Sequence, residues 1–187
     1  MPSSIYQNIP TILTEIMLSV PNSILDIGVG FGKTGFLCRE YLEVWNKRLI
    51  RSEWRVRIDG IEICERYVTP VVNEIYNNIY IGDASQVINS LDFYDVIVAN
   101  DVIEHIEKKK ALGLLKTLSE KFNKKMILSI PLGDKWLDAN KSFIDINPAE
   151  AHISAWTQSE LEAMPYFKYS FPFQGVRGPI GLFIYEK

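Results

Sequence analysis

Residues 24–35 read ILDIGVGFGKTG and carry three glycines at alternate positions: Gly28, Gly30 and Gly32. The stretch is not a complete P-loop, because Ile27 stands where that motif requires its first glycine. It is not a complete dinucleotide fingerprint either, because Lys33 stands in place of the third glycine. Glycines at this spacing let the main chain approach a compact ligand closely. What remains is the pattern D-x-G-x-G-x-G, formed by Asp26 and the three glycines.

Four polar residues stand at the ends of apolar segments along the chain: Asp26, Glu62, Asp83 and Asn100. If these segments are parallel strands, all four residues fall at the carboxyl edge of one sheet. Open α/β sheets bind their ligands at that edge, where the strand order reverses. The spacing therefore predicts that these residues gather around one binding site.

The apolar pattern predicts the elements that must position these residues. Five apolar segments are predicted strands, at 24–27, 56–61, 78–81, 95–100 and 126–130. Helical spacing predicts an N-terminal helix within residues 1–21, capped by Thr11 and stopped by Pro21. Further helices are predicted over 34–41 and 111–122. Strands that alternate with helices imply crossovers and a largely parallel, doubly wound sheet.

The C-terminal part of the chain follows a different pattern. Thr157 and Glu160 form a capping box that predicts the start of a helix. Aromatic and polar residues alternate over 167–173, and a second strand pattern follows a turn at 175–179. Two strands joined without a helix predict an antiparallel hairpin at one edge of the sheet.

The composition favours one globular domain. The chain has 187 residues, 47% apolar and 23% charged, so we expect a single domain over 1–187. A formal charge of −3 gives no global signature of nucleic-acid or membrane binding. We expect neither a signal peptide nor a membrane span. The two cysteines match no disulfide or zinc spacing, which favours a cytoplasmic location.

Two stretches carry the most specific pattern, ILDIGVGFG at 24–32 and YDVIVANDVIEHIE at 94–107. With an acid ending the second strand, Gly-Asp-Ala after the third and the terminal hairpin, they resemble the class I S-adenosylmethionine-dependent methyltransferases over about residues 22–187. The resemblance implies an α/β fold with a Rossmann-like seven-stranded sheet, mostly parallel with a C-terminal antiparallel hairpin and helices on both faces. It also implies S-adenosyl-L-methionine as the methyl donor.

The resemblance assigns the residues that hold the nucleoside part of the cofactor. Glu62 is expected to accept hydrogen bonds from both ribose hydroxyls. Asp83 is expected to face the adenine amino group and the amide of Ala84 an adenine ring nitrogen, although Asp83 alone fits a helix cap equally well. Glu62 lies further beyond Gly28 than a dinucleotide fingerprint places its acid, and we expect a longer helix plus a connection in the extra segment 42–55.

The resemblance also assigns the methionine part of the cofactor to the glycine loop. Carbonyl groups near Gly28 and Asn100 are expected to receive the ammonium group. Asp26 is expected to support the loop or to bond that ammonium through water. Gly30 and Gly32 complete the close approach of the backbone, and carboxylates nearby suit a positively charged sulfonium.

Fewer residues can be assigned to the acceptor site. His152 lies in the 131–156 segment, which should cover the acceptor site together with the N-terminal helix. It is the candidate catalytic residue, as a base or as an acceptor-orienting group. His105 is expected to be a positioning residue whose imidazole bonds a neighbouring backbone group or carboxylate. Asp101 and Asp134 are further candidates.

Four aromatic residues could either line an acceptor pocket or pack the long segment in place: Trp136, Phe143, Trp156 and Tyr166. The sequence leaves both alternatives open. Asp134, Asp138 and Asp145 have no recognisable coordination spacing, so we expect no metal ion.

The pattern predicts methyl transfer to an oxygen or nitrogen of a small-molecule acceptor. RNA is the second candidate acceptor, because residues 47–57 interleave basic and aromatic side chains. The interpretation favoured for this run, however, is a solvated helix face whose arginine stems cover apolar neighbours. A nicotinamide-dependent oxidoreductase on a related fold and a non-catalytic binding module are the remaining alternatives. The sequence determines neither the acceptor nor the oligomeric state.

Overall fold

The computed structural model of the chain describes residues 5–137, 147–167, 169–175 and 178–187. Its strands are β1 Ser23–Ile27, β2 Arg57–Glu62, β3 Asn78–Ile81, β4 Tyr94–Asn100, β5 Phe122–Pro131, β6 Tyr169–Gln174 and β7 Pro179–Glu186. They form one seven-stranded sheet in the order β3-β2-β1-β4-β5-β7-β6. Strands β1 to β5 pair in parallel, whereas β7 pairs antiparallel with both β5 and β6. The predicted fold class is therefore confirmed.

Helices cover both faces of the sheet. They are α1 Ile9–Leu18, α2 Lys33–Leu42, α3 Pro70–Ile75, α4 Ala84–Val87, α5 Lys108–Lys121 and α6 Gln158–Glu162. One buried cluster joins α1, α2 and α3 to the sheet, for example through Ile16 and Ile24. A second cluster joins α5 and α6 to the opposite face, for example through Leu115 and Leu25. In the described part of the chain, no helix combines the length and the apolar character needed to span a membrane.

The strand order determines where a ligand can bind. β1 pairs with β2 on one side and with β4 on the other, so the order reverses between β1 and β4. Crossovers on opposite faces leave a crevice beyond the carboxyl ends of these two strands. The glycine loop follows β1 there, and residues 101–107 follow β4.

The N-terminal helix begins earlier than predicted. α1 starts at Ile9, directly after a 3-10 turn at Tyr6–Asn8, and Pro10 lies in its first turn. Thr11 is therefore not its cap, and that prediction was wrong. Proline is favoured in the first turn because its missing N–H would have no partner there and its φ already suits a helix.

The segment 42–55 does not continue α2. Short 3-10 turns at Val44–Asn46 and Arg51–Glu53 take the place of the expected longer helix. Between them, Lys47 has a φ of 62°, which no α-helix accommodates. The chain turns here because the fully buried carboxylate of Glu43 accepts hydrogen bonds from the amides of Arg55 at 2.9 Å and Val56 at 2.7 Å.

The region around β5 also differs in extent from the prediction. The strand begins at Phe122, directly after α5, and runs to Pro131 instead of covering only 126–130. Phe122, predicted on the apolar face of the helix, thus opens the strand. The C-terminal hairpin is confirmed, with β7 inserted between β5 and the edge strand β6.

Candidate functional site

A cleft of about 810 Å³ opens at the carboxyl ends of β1, β2 and β4. Seven of the predicted site residues line it: Gly28, Gly30, Glu62, Asp83, Ala84, Asn100 and His152. Asp26 and Gly32 lie outside its lining. The structure therefore brings most of the predicted residues to one place, although they come from five separate segments of the chain.

The glycine loop needs its glycines for a conformational reason. Gly28, Gly30 and Gly32 have φ angles of 77°, 53° and 82°, in the region that side chains disfavour. A Cβ atom on Gly28 would also lie only 2.8 Å from Cγ2 of Val102. The amide of Gly28 donates to the carbonyl of Ile61 at 2.9 Å, which ties the loop to the end of β2.

Glu62 fixes the shape of the loop from the neighbouring strand. Its carboxylate accepts hydrogen bonds from the amides of Gly30 at 2.7 Å and Cys64 at 2.8 Å. Burial raises the pKa of this carboxyl group, and the two backbone hydrogen bonds oppose that change. The carboxylate thus lines the cleft while it holds the loop that forms the cleft's floor.

Asp26 acts behind the loop. Its buried carboxylate accepts a hydrogen bond of 2.5 Å from the hydroxyl of Tyr76, which in turn accepts one of 3.0 Å from the amide of Gly35 in α2. Burial raises the pKa of Asp26 to about 7, although the Tyr76 hydrogen bond works in the other direction. Gly32 precedes α2 as its N-cap residue. Both residues therefore hold the start of α2 in place behind the cleft.

Asp83 combines two roles at the far end of the cleft. It is the N-cap of α4 and accepts a hydrogen bond of 2.9 Å from the amide of Ser85. It also forms an ion pair with Lys110 of α5. Burial works to raise the pKa of Asp83, but the hydrogen bonds from Lys110 and Ser85 outweigh it and lower that pKa. Asp83 is thus a helix cap, as one of the two alternatives predicted, and it also lines the cleft.

The end of β4 and the residue after it place two polar side chains in the lining of the cleft. The buried Oδ1 of Asn100 has no hydrogen-bond partner in the described part of the chain. Asp101 has a positive φ of 55°, which is unusual for a residue with a side chain. Its carboxylate accepts a hydrogen bond of 3.3 Å from the amide of Ile5, and burial raises its pKa to about 6. The N-terminal segment thus closes one side of the cleft.

The opposite wall brings together three side chains that can share a ligand. Atoms of Glu104, His105 and His152 capable of binding a metal lie within 4.8 Å of one another. The two imidazole rings meet edge to face with centroids 4.6 Å apart, and Trp136 stacks on His152 at 6.5 Å. Sequence spacing gave no sign of this cluster, because His152 arrives from a distant segment and Glu104 was not singled out.

The expected contact of His105 is present. Its Nδ1 lies 3.1 Å from the carbonyl oxygen of Ala151, so the imidazole bonds a neighbouring backbone group. Tyr67 was not predicted as a site residue, yet it also lines the cleft. Its hydroxyl donates to Glu150 at 2.9 Å and accepts from Asn147 at 3.3 Å. These contacts hold residues 147–152 against the rest of the site.

The aromatic candidates divide between the two alternatives. Trp136 lines the cleft, whereas Trp156 is fully buried in the core and Tyr166 packs against that core. Asp134 opens a 3-10 turn outside the lining. Phe143, like Asp138 and Asp145, falls outside the described residues.

The basic run at 47–57 is largely engaged within the chain. Arg48 pairs with Glu43, and Arg57 donates to Asp59 at 2.7 Å. Arg51 donates to the carbonyl groups of Asn73 at 2.9 Å and Tyr76 at 3.0 Å. These contacts favour a structural role for the arginines over an RNA-binding surface.

Comparison with solved structures gives proteins of the same fold. Magnesium protoporphyrin IX methyltransferase from Synechocystis PCC 6803 with bound SAH has a TM-score of 0.66 at 12% identity, covering 97% of this chain and 82% of that one. A SAM-dependent methyltransferase from Archaeoglobus fulgidus has a TM-score of 0.62 at 17% identity, covering 96% and 93%. A protein from Klebsiella pneumoniae proposed to be an O-methyltransferase has a TM-score of 0.58 at 13% identity, covering 100% and 82%.

Sequence comparison with curated proteins gives no significant match. The family model for the methyltransferase domain, however, matches residues 2–164, which is most of the chain. The resemblance found in the motifs is thus confirmed, and with it the prediction of an enzyme. The chain belongs to the methyltransferase domain family.

Proposed function

We propose that this methyltransferase transfers the methyl group of S-adenosylmethionine to an oxygen or nitrogen atom of a small-molecule acceptor. The observation that carries the proposal is the composition of one cleft. A backbone-lined floor at the glycine loop faces a wall that bears both histidines of the chain. Its volume of about 810 Å³ lies in the upper part of the range of about 300–1,000 Å³ found for small-ligand sites.

We assign the cofactor to the side of the cleft formed by β1, β2 and β4. Gly28 and Gly30 place backbone without side chains in the lining there. The Oδ1 of Asn100, which has no hydrogen-bond partner among the described residues, supplies an acceptor for an ammonium group. Glu62 supplies negative charge beside the loop. These groups fit a zwitterionic sulfonium because that ligand offers donors and positive charge and carries no phosphate.

We assign the adenine to the end of the cleft at β3 and α4. Asp83 and Ala84 line that end, and the carboxylate of Asp83 is held in place by its bonds to Ser85 and Lys110. Ile63, which is 53% exposed, adds an apolar surface to the same lining. An apolar wall beside fixed polar groups is the usual composition of a site for a flat heterocycle.

We assign the acceptor to the wall formed by residues 147–153, Trp136 and the N-terminal segment. When bound, S-adenosylmethionine supplies an electrophilic methyl group on a sulfonium. The chain's own task is to align the acceptor with it, and such alignment contributes about 7–11 kcal/mol in favourable cases. His152 lies in this wall and is our candidate for orienting the acceptor or taking its proton.

The alternatives have less support. Three of the four arginines that suggested RNA binding have side chains bonded within the chain, as described above. An oxidoreductase is not supported by the match to the methyltransferase domain family. The volume of the cleft, about 810 Å³, is of the size found for small-ligand sites, which favours a small acceptor.

The proposal is tested by incubating the full chain with methyl-labelled S-adenosylmethionine and panels of small hydroxy and amino compounds, with total RNA in a parallel assay. We expect label in at least one small acceptor and none in RNA. Label that enters RNA alone would replace the small acceptor by a nucleic acid.

A further inference from the structure

Glu104 is a buried carboxylate in the wall of the cleft. It is 1% exposed, and neither of its oxygens has a hydrogen-bond partner in the described part of the chain. It nevertheless lines the cleft. Buried charges in proteins are paired or coordinate metals, because an isolated carboxylate is costly to remove from water. We therefore expect a cation that enters from the cleft to bind this carboxylate.

His105 presents the right nitrogen atom to the same place. Its Nδ1 lies 3.1 Å from the carbonyl oxygen of Ala151, and a carbonyl oxygen only accepts, so Nδ1 carries the proton. The lone pair is then on Nε2, which lies 3.9 Å from Oε1 of Glu104. Histidines that bind metals typically donate their other N–H to a carbonyl or carboxylate in this way.

His152 completes a set of three. Ligand atoms of Glu104, His105 and His152 lie within 4.8 Å of one another. Ligands bound to one zinc ion at about 2.0–2.2 Å lie roughly 3–4 Å apart, so side-chain movements of about 1 Å close the set.

The surroundings add negative charge. Asp101 and Glu150 both lie near enough to Glu104 for their carboxylates to repel it electrostatically. Asp101 and Glu150 themselves line the cleft. A divalent cation at the cluster would relieve this repulsion between carboxylates.

We propose that Glu104, His105 and His152 bind one divalent transition-metal ion on the acceptor wall of the cleft. Two imidazoles and one carboxylate suit Zn²⁺ or Mn²⁺ better than Mg²⁺ or Ca²⁺, which prefer oxygen ligands. Three protein ligands leave positions open for a further ligand. On the basis of the proposed function, that ligand is an oxygen or nitrogen atom of the acceptor. His152 then orients the acceptor through the ion and takes no proton.

The proposal is tested by calorimetric titration of Zn²⁺, Mn²⁺ and Mg²⁺ into the tag-free full chain after treatment with a chelator. We expect one Zn²⁺ or Mn²⁺ per chain and weaker binding of Mg²⁺. Glu104→Gln and His152→Gln should each weaken binding by at least about tenfold. Glu107→Gln, which alters a cleft-lining carboxylate outside the cluster, should leave it unchanged. Equal affinity in the wild type and Glu104→Gln, or no binding to the wild type, would overturn the proposal.

A second measurement needs no variant. Because the chain has only two histidines, its imidazole ¹H–¹⁵N spectrum contains signals from two rings. Zn²⁺ should shift the signals of both rings, and the signal of the proton on Nδ1 of His105 should still be observed. Zn²⁺ that binds without changing either ring would overturn the site. Titration of S-adenosylhomocysteine into the same samples separates the two proposals, because its failure to bind would refute the proposed cofactor site and leave the metal site standing.

Discussion

Gly28 is constrained in two independent ways. Its φ of 77° disfavours any side chain, and a Cβ atom would lie 2.8 Å from Val102. We expect Gly28→Ala to lower the free energy of unfolding by about 1–3 kcal/mol and to weaken binding of S-adenosylhomocysteine, because the loop must shift. Urea unfolding and calorimetry measure the two effects.

Gly113 provides a matched control for this substitution. It lies within α5, and no described atom outside that helix's own backbone comes within 4 Å of a Cβ built on it. Gly113→Ala should therefore raise stability by about 0.5–1 kcal/mol and leave ligand binding unchanged. Equal ligand affinity in Gly28→Ala and Gly113→Ala would contradict the role given to the loop.

The raised pKa of Asp26 leads us to expect a specific dependence of protein stability on pH. Its pKa is about 7 in the folded protein against an ordinary value of 3.8, so the folded state holds the proton more tightly than the unfolded state. The stability contributed by this group therefore falls as pH rises from about 4 to about 7 and is constant above that. The side chain introduced by Asp26→Asn does not titrate, but its carbonyl oxygen can still accept the Tyr76 hydrogen bond.

We expect the stability of Asp26→Asn relative to the wild type to increase by about 3 kcal/mol between pH 5 and pH 8. Urea unfolding of both proteins across that range measures the difference, and groups common to both cancel. A difference that stays constant with pH would show that Asp26 is ionised throughout.

At the scale of elements, the segment after α2 depends on one buried carboxylate. Glu43 accepts the amides of Arg55 and Val56 and pairs with Arg48. Glu43 also lies 3.5 Å from Arg39, whose side chain is only 5% exposed. Glu43→Gln should lower the free energy of unfolding by about 3–5 kcal/mol, because it leaves this buried guanidinium without its carboxylate partner. The exposed Glu40 lies at the end of α2, three residues before Glu43, and Glu40→Gln should change stability by less than about 0.5 kcal/mol. Similar losses in both variants would contradict the account of this segment.

The elements that the sequence predicted well are those whose residues face one environment along their length. β4 is almost entirely buried, and its apolar run located it correctly. The capping box at Thr157 and Glu160 is likewise present, because it depends only on neighbouring residues. The segment 42–55 was predicted wrongly because its path is set by contacts between Glu43 and the start of β2, which no local pattern contains.

At the scale of the whole molecule, the fold gathers residues that are distant in the chain. The glycine loop, Glu62, Asp83 and Asn100 could be placed at one edge because each follows a predicted strand. Glu104 and His152 meet only through the packing of residues 147–156 on the end of β4, shown by the bonds from Ile153 and Ser154 amides to the carbonyl of Glu104. The spacing of residues in the sequence cannot predict such a contact.

The central claim is that this cleft binds the methyl donor through bare backbone and acids. It is tested most directly by calorimetric titration of the full chain with S-adenosylhomocysteine and, separately, with NADH. We predict one S-adenosylhomocysteine per chain and, at a concentration 100 times its dissociation constant, a gain of about 2.7 kcal/mol in the free energy of unfolding. NADH should not bind. Binding of NADH with no response to S-adenosylhomocysteine would contradict the account.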